Sequence, residues 1–276
     1  MKSGLLIFLL LVSNAFIFSS IYGSSGISVD VLDVGQGDGN LIRSNGIDVL
    51  IDVGMGRNII RALEKSLPRG DRYIDIVVIS HPHLDHYGGL EYILEHYDIG
   101  ALIWNGSNSV DRLNVLIHNA RDRNIPVINL FAGSQIRTDG LNMQIVYPPS
   151  NVTEKLLAEN DGSLVIFADI NGLTGLFTGD ISVRTESIIS AISFPEIDIL
   201  KIPHHGSRTS SSRELLIATN PLVATLSVGR NNRYGLPDED VLARYATQNI
   251  PIFRTDKNGS IRITEKNQKL RVNSLE

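Results

Sequence analysis

The chain has no cysteine among its 276 residues. That excludes disulfides, lipoprotein attachment and thiolate ligands, so any metal must be held by nitrogen and oxygen atoms. Excess positive charge is also missing. With 25 Lys and Arg against 30 Asp and Glu, the net charge is -5, which argues against a general nucleic-acid-coating protein but leaves room for a local basic cleft. No low-complexity tract interrupts the chain, and no linker is long enough to divide it, so residues 27–276 are read as one domain. An uninterrupted apolar run of membrane-spanning length is absent too. Leu5 to Val12 resumes at Ala15 to Phe18 only after Ser13 and Asn14. With Lys2 before this stretch and Ser19, Ser20, Gly23, Ser24 and Ser25 after it, residues 1–25 are expected to be a secretory signal. It is either cleaved or retained as an anchor through residues 4–22, which places the rest outside the cytoplasm.

What the chain does have is histidine concentrated in one place. The apolar run Ile74 to Ile79 ends in His81, His83, Asp85 and His86, so three of seven histidines and a carboxylate fall within six residues. Neutral imidazole and carboxylate suit borderline metals such as Zn²⁺. His81 and His83 are two apart, so in extended backbone their side chains point the same way and can grip one ion. Asp85 and His86 are displaced enough to serve a second. Gly88 and Gly89 then open a helical pattern through Leu90, Ile93 and Leu94. Three further apolar strands end in polar groups: Asp52 in VLIDVG, Asp180 in LFTGDIS, and His204 with His205 in IDILKIPHHGS. Singly, each carboxylate reads as a turn or helix cap. Together with the His-rich loop, these strand ends read as one site.

The periodicity around them mixes two rhythms. Ile27, Val29 and Val31 alternate with polar neighbours, and the turns Asn45-Gly46 and Asn171-Gly172 each join two extended runs as hairpins. Helical patterns over Ile59 to Leu67, Val110 to Arg123 and Val183 to Ile192 alternate with extended runs. Hairpins combined with βαβ-like alternation point to two sheets with helices outside, and to chemistry at strand-to-loop junctions.

HPHLDH matches the HxHxDH signature of the metallo-β-lactamase superfamily. VLDVGQGDGNLI, ENDGSLVI, LFTGD, KIPHHGSRTSSS and LSVGRNNRYGLP extend the likeness. As a set, they resemble the metallo-β-lactamase domain of the ComEC competence DNA-uptake proteins, over Ile27 to about Arg254. The chain is therefore expected to correspond to that hydrolase domain alone, without the family's membrane channel and behind its own export signal. The resemblance implies an α/β fold, a four-layer αββα sandwich, holding two divalent ions, Zn²⁺ or Mn²⁺. On it, His81 and His83 would hold the first ion, Asp85 and His86 the second, and Asp180 would bridge both. Two cations a few Å apart need anionic charge between them. Asp52 would orient a ligand histidine from behind. PHHGS leaves the last ligand open between His204 and His205, with His205 favoured as ligand and His204 as a phosphate or oxyanion contact. Asp85, Asp180 and His204 would then carry catalysis.

Two departures from the family pattern stand out. Between Tyr87 and Gly179 there are only His96 and His118, both in helical patterns, where many superfamily members place another ligand histidine. Asn160-Asp161-Gly162-Ser163 occupies that place, so either Asp161 supplies an oxygen ligand or the first ion is held more weakly. This favours ions tolerant of oxygen, such as Mn²⁺. Where ComEC-like chains often read YGHP, this one has Tyr234-Gly235-Leu236-Pro237.

Gly35-Gln36-Gly37-Asp38 is either a hairpin connection or an amide nest for an anionic oxygen. From Lys201 to Lys257 there are eight Lys and Arg against five Asp and Glu, in a chain that is acidic overall. Beside the metal motif, that surplus suggests phosphate binding. Gln36, Asp38, Asp161, Ser163, Ser207 and Arg208 are accordingly expected near substrate, along with Asn231, Asn232 and Tyr234. The expected function is phosphodiester hydrolysis, with DNA as substrate and uptake machinery as a partner. The alternatives are hydrolysis of a small ester, lactone or β-lactam, and a non-catalytic DNA-binding partner of an uptake system.

Overall fold

Period-2 burial along the strands builds the layers. In the strand Tyr73–Ile79, Val77 and Ile79 enter one core cluster while Val78 enters a second. In Val165–Ile170, Ile166, Ala168 and Ile170 share that second cluster, while Val165 and Phe167 enter a third. Strands buried on both faces belong to sheets covered on both sides.

The computed structural model describes residues 26–276 apart from positions 109, 268 and 276, so the expected signal at residues 1–25 lies outside the described residues. The strands in chain order are β1 (Ser28–Val31), β2 (Asn40–Ser44), β3 (Ile47–Ile51), β4 (Tyr73–Ile79), β5 (Asp98–Trp104), β6 (Val127–Asn129), β7 (Gln135–Thr138) and β8 (Leu141–Tyr147). They continue with β9 (Val165–Ile170), β10 (Leu173–Phe177), β11 (Ile199–Lys201), β12 (Val223–Leu226), β13 (Ile252–Arg254), β14 (Ser260–Lys266) and β15 (Lys269–Leu275). One sheet runs β15-β14-β1-β2-β3-β4-β5-β6 and the other β13-β12-β11-β10-β9-β8-β7. The helices are α1 (Asn58–Ser66), α2 (Leu84–Tyr87), α3 (Leu90–His96), α4 (Asp111–Asp122), α5 (Glu154–Leu157), α6 (Val183–Ile189), α7 (Arg213–Thr219), α8 (Glu239–Thr247) and α9 (Thr255–Asn258).

Ile59 and Leu63 of α1, Leu90 and Ile93 of α3, and Leu113 and Ile117 of α4 cover the outer face of the first sheet. Ile189 of α6, Leu215 and Leu216 of α7, and Val241 and Tyr245 of α8 cover the second. Val49, Ile51, Val78 and Ile103 meet Met143, Ile145, Ile166 and Ile199 between the sheets. The order helix, sheet, sheet, helix is the αββα sandwich expected from the motifs.

Both expected hairpins form, β2 with β3 and β9 with β10. β7 was not foreseen, because its alternation is only partly apolar; α6 stops at Ile189, short of the expected Ile192. Parallel pairing runs from β3 through β6 and from β10 through β13. Two parallel blocks therefore present their carboxyl ends, where such sheets place ligands.

The core between the sheets gives a stability prediction. Ile166 is fully buried there, so Ile166→Ala should lower unfolding free energy by about 2–5 kcal/mol, measured by urea denaturation.

Candidate metal centre

Each chemically competent side chain sits just past the end of a parallel strand. Asp52 follows β3, in a left-handed conformation with φ 59°. Its carboxylate accepts from the Ser80 amide (2.7 Å) and the Ser80 hydroxyl (2.7 Å), and pairs with His86 Nδ1 at 2.8 Å. His86 Nε2 is thereby held 3.2 Å from Asp180 Oδ2 and 4.0 Å from Asp85 Oδ1. Opposite it, His205 Nδ1 lies 2.9 Å from the Ser227 carbonyl oxygen. Its Nε2 lies 3.2 Å from Asp85 Oδ2 and 3.4 Å from Asp180 Oδ2. His204 and His205 are consecutive left-handed residues, φ 49° and 50°. Such strain in non-glycine residues costs about 1–3 kcal/mol each and persists where surrounding structure imposes it.

Donor atoms from Asp85, His86, Asp180 and His205 all lie within 4.8 Å of one another. His81 and His83 adjoin them, with ring centroids 4.6 Å apart, and the His81 ring is 4.1 Å from that of His86. The hydrogen bonds also settle the His81 tautomer. Its Nδ1 is 3.1 Å from Ser80 Oγ and 3.2 Å from Ser163 Oγ. Ser80 already donates to Asp52, and Ser163 to the Asn160 carbonyl (2.7 Å). Nδ1 must therefore donate, which leaves the lone pair on Nε2. His81 Nε2 and His86 Nε2 are buried without a hydrogen-bond partner. Buried unpaired imidazole nitrogens beside carboxylates fit a divalent cation, and imidazoles oriented by a carboxylate or carbonyl fit metal ligands in particular.

A lysine lies beneath this cluster. Lys201 ends β11, is 1% exposed, and donates to the Gly179 carbonyl at 2.8 Å. Its Nζ is 3.3 Å from Asp180 Oδ1 and also pairs with Asp38 Oδ2. Asp180 thus gives one oxygen to the lysine and turns the other towards His86 and His205. Asp38, Asp52 and His86 form a second compact group; Ser80 and His86 hold both oxygens of Asp52 and Lys201 holds Asp38 Oδ2, while Asp38 Oδ1 is buried without a hydrogen-bond partner.

The electrostatics follow from burial opposed by partners. Burial pushes the His81 imidazole well below its usual range, which keeps it neutral. Burial also resists ionisation of Asp180, but His205, His86 and Lys201 outweigh it and hold the carboxyl well below the usual carboxylate range. Asp85 is likewise held low, since His86 and His205 overcome its desolvation. Desolvation disfavours charge on His86 and His205 too. Asp180, Asp52 and Asp85 outweigh it at His86, and Asp180 and Asp38 at His205, so both imidazoles are raised. A divalent cation would take over the role of those protons, so ion binding should release them.

Several residues expected to meet substrate have internal duties instead. Asp38 is buried against Lys201, and its amide donates to the Asp85 carbonyl at 3.1 Å. Gly37, with φ 125°, passes so close that a Cβ there would sit 2.1 Å from the same carbonyl. The Gly35–Asp38 turn therefore braces the metal loop rather than spending its Asp38 amide on an anion. Asp161 accepts from the amide and hydroxyl of Ser182 (both 2.8 Å) at the start of α6, so it does not supply the missing ligand. Ser163 is buried between His81 and the Asp180 amide, 3.1 Å from the latter. Asn232 ties its own loop, donating to the Gly229 (3.1 Å) and Leu236 (2.7 Å) carbonyls. Asn231 is an exposed left-handed turn residue. Ser207 bonds Thr209 (3.1 Å), and Arg208 pairs with Asp238 (3.0 Å). His96 and His118 lie on α3 and α4, outside the cluster.

Above the cluster is a cleft of roughly 360 Å³. His83, Asp85, Asp180, His204 and His205 line it, together with Gln36 and Tyr234. Asn160, Met55, Leu84, Leu236 and Arg233 complete it; Met55 and Leu84 carry no signal in the sequence that marks them as site residues. His204 Nε2 sits 3.2 Å from Asn160 Nδ2, on the cleft wall rather than among the clustered donors. Of the PHHGS pair, His205 lies in the cluster and His204 faces the cleft. The basic flank is largely spent internally. Lys201 is buried, Arg244 donates to the Ser210 (2.9 Å) and Ser211 (2.6 Å) carbonyls, and Arg254 pairs with Asp256 (2.8 Å).

Residues 32–103 match the family model described as the metallo-beta-lactamase superfamily. That match lies within the four-layer fold and agrees with the metallo-β-lactamase likeness read from the motifs. It is similar to ComE operon protein 3 of Bacillus subtilis, 28% identical over 267 residues, covering 89% of this chain and 34% of that protein. It is also similar to Recombination protein 2 of Haemophilus influenzae, 34% identical over 239 residues, covering 85% of this chain and 28% of that protein. The chain thus spans about a third of the length of the curated relatives it matches. Among solved structures, the diiron β-hydroxylase CmlA of Streptomyces venezuelae shares the fold, with TM-score 0.55 and 15% identity over 91% of this chain and 54% of that one. The ComEC-like resemblance read from the motifs holds.

Two mutations test this geometry. Asp52→Ala removes the group orienting His86, so metal affinity should fall by about 10–100-fold in chelator competition, with the far-UV dichroism unchanged. Lys201→Met strands Asp38 as a buried charge, and should cost about 3–5 kcal/mol in urea unfolding at pH 7.

Proposed function

We propose that this chain is a metal-dependent phosphodiesterase acting on DNA outside the cytoplasm. The observation that carries the reading is the histidine–carboxylate cluster opening into a cleft rimmed by Arg233 and Tyr234. A guanidinium suits a phosphate oxygen and an exposed tyrosine suits a base face. Tyr234 is 54% exposed, with the Arg233 guanidinium 5.4 Å from its ring centre.

His81, His83 and Asp180 would hold one ion, and Asp85, His86, Asp180 and His205 the other. When bound, two such ions lower the pKa of water and stabilise charge building on phosphate oxygens. The chain's own residues do the positioning. Asp52 and the Ser227 carbonyl fix the rings of His86 and His205, and Lys201 keeps Asp180 ionised and directed. Asp85 is an ionised carboxylate at the cleft floor, placed to take a proton from the attacking water. His204, held neutral by burial, faces the cleft from its wall and is the contact we assign to a phosphate oxygen. The name of the recombination relative supports a DNA substrate. Residues 1–25 would export the chain, and if retained would tether it beside uptake machinery. Among the described residues, no helix is long and apolar enough to cross a membrane.

A second reading, hydrolysis of a small ester, lactone or β-lactam, draws on Met55, Leu84 and Leu236, which give the cleft an apolar side of small-molecule size. A non-catalytic DNA-binding role leaves unexplained why Asp85, His86, Asp180 and His205 are gathered within 4.8 Å of one another.

Cleavage assays decide among these readings. Single- and double-stranded DNA incubated with the protein and Mn²⁺ or Zn²⁺ should be cut, while chelator or Asp180→Ala should reduce cutting below detection. Failure of folded, metal-loaded protein to cut either DNA would sink the nuclease reading.

A further inference from the structure

Beside the metal cleft lies a groove of about 780 Å³, roomier than the cleft itself. We propose that this groove holds the backbone of one nucleic-acid strand by its phosphates, so that the substrate is a polymer extending well past the reacting bond. This rests on the phosphodiesterase reading for the adjoining cleft, although binding by the groove can be measured without it.

The charge of the groove is opposite to that of the chain. Arg61 and Lys65 project from α1, one helical turn apart and so on one face. Arg230 comes from the loop after β12, and Lys257 from α9. All four are exposed, and none is ion-paired with a carboxylate among the described residues. The one described carboxylate on the lining is Asp33, which accepts from the Gly35 amide at 3.3 Å. Arg230 Nε donates to the Asp256 carbonyl at 3.0 Å, which fixes its side chain at the groove without neutralising its charge. Four cations with no carboxylate partner repel one another, so an anion is the natural counterpart.

The groove and the cleft are joined. Gln36 lines both. Its side-chain oxygen accepts from the Gly229 amide at 3.2 Å, and a Cβ on Gly229 would lie 2.8 Å from the Gln36 nitrogen. That contact needs glycine and brings the two loops together. The loop beginning at Gly229 then supplies Asn232 to the groove and Arg233 with Tyr234 to the cleft. Gln36 and the Gly229 loop are therefore the common border of cleft and groove, over which a chain leaving one would reach the other.

The lining favours a phosphate backbone over other anions. Its cations come from three separate elements, an arrangement suited to a series of charges rather than a single one. Its apolar side chains are Ala62 and Leu275, with no aromatic, which is too little for a protein interface core. Without aromatic platforms or a set of base-reading side chains, contact falls on phosphates and is independent of sequence.

The test uses the full-length protein with chelator present, so that nothing is cut, and a fluorescent 20-nucleotide single strand read by anisotropy. With four phosphates neutralised, log K should fall with log salt at a slope of about -2.8. Arg61→Glu/Lys65→Glu and, separately, Arg230→Ala/Lys257→Ala should each weaken binding at least tenfold, and the alanine pair should flatten the slope by about 1.4. Arg121→Glu/Lys155→Glu, the same charge change at exposed sites elsewhere, should stay within twofold of the parent. In parallel, Mn²⁺-dependent cleavage of bis(p-nitrophenyl) phosphate should be unchanged within twofold in the groove variants. The proposal is overturned if the groove variants bind the strand as well as the parent does, or lose no more than the control pair. Groove-dependent binding by a parent that cleaves neither substrate would uphold the groove and overturn the phosphodiesterase reading instead.

Discussion

The structure depends on one buried cation. Lys201 sits at the end of β11 between Asp38 and Asp180, in a region with Asp52 close by. Burial alone would strip its proton, but the carboxylates around it outweigh that and keep it an ammonium. Without it, carboxylates would face each other in a low-dielectric interior, at a cost no local hydrogen bond could offset. With it, the Asp38 turn is anchored under Asp85, and Asp180 is left one free oxygen pointing at two imidazoles. Lys201 balances the inner carboxylates, so the demand for more positive charge falls on the open side, at Asp85, His86 and His205.

That open side exists only because two sheets meet there. The first sheet supplies Asp52 and the His81 to His86 loop, and the second supplies Asp180 and His205. No donor set from one sheet alone brings the four clustered ligands together. The core between the sheets, Val78 against Ile166 and their neighbours, therefore fixes distances among atoms far apart in sequence. Asp52, His204 and His205 pay in backbone strain, all held at positive φ where the chain leaves its strand abruptly. Most other positive-φ residues are asparagines in turns and at helix ends, which tolerate it; an aspartate and two histidines held so beside clustered donors are what a functional site on a rigid scaffold produces.

Much of this was legible before any coordinates. Alternating and continuous apolar runs marked both sheets, because burial on one or two faces leaves a period-2 or unbroken signature. The His81 to His86 loop and Asp180 were visible because strand ends announce themselves by an abrupt change of polarity. Other roles were hidden. Lys201 resembled one more surface cation, since only its position at the end of a buried strand hinted otherwise. Asp38, Asp161 and Ser163 looked like substrate contacts, but carboxylates and hydroxyls near a motif also serve amides and imidazoles. Sequence offers no way to tell which until the partner, here Lys201, Ser182 or His81, is brought across from a distant segment. Arg61 and Lys65 escaped notice for the same reason. They stand on an ordinary amphipathic helix, and only the packing of α1 beside the Gly229 loop turns them into a groove wall.

The central claim is that this charge arrangement is built to hold two divalent cations. Anomalous diffraction from crystals soaked in Mn²⁺ tests it directly. Two peaks are expected, one in contact with His81 and His83, the other with Asp85, His86 and His205, and Asp180 touching both. A site without anomalous density, with His86 and His205 still paired to the carboxylates as protonated imidazoles, would contradict the account.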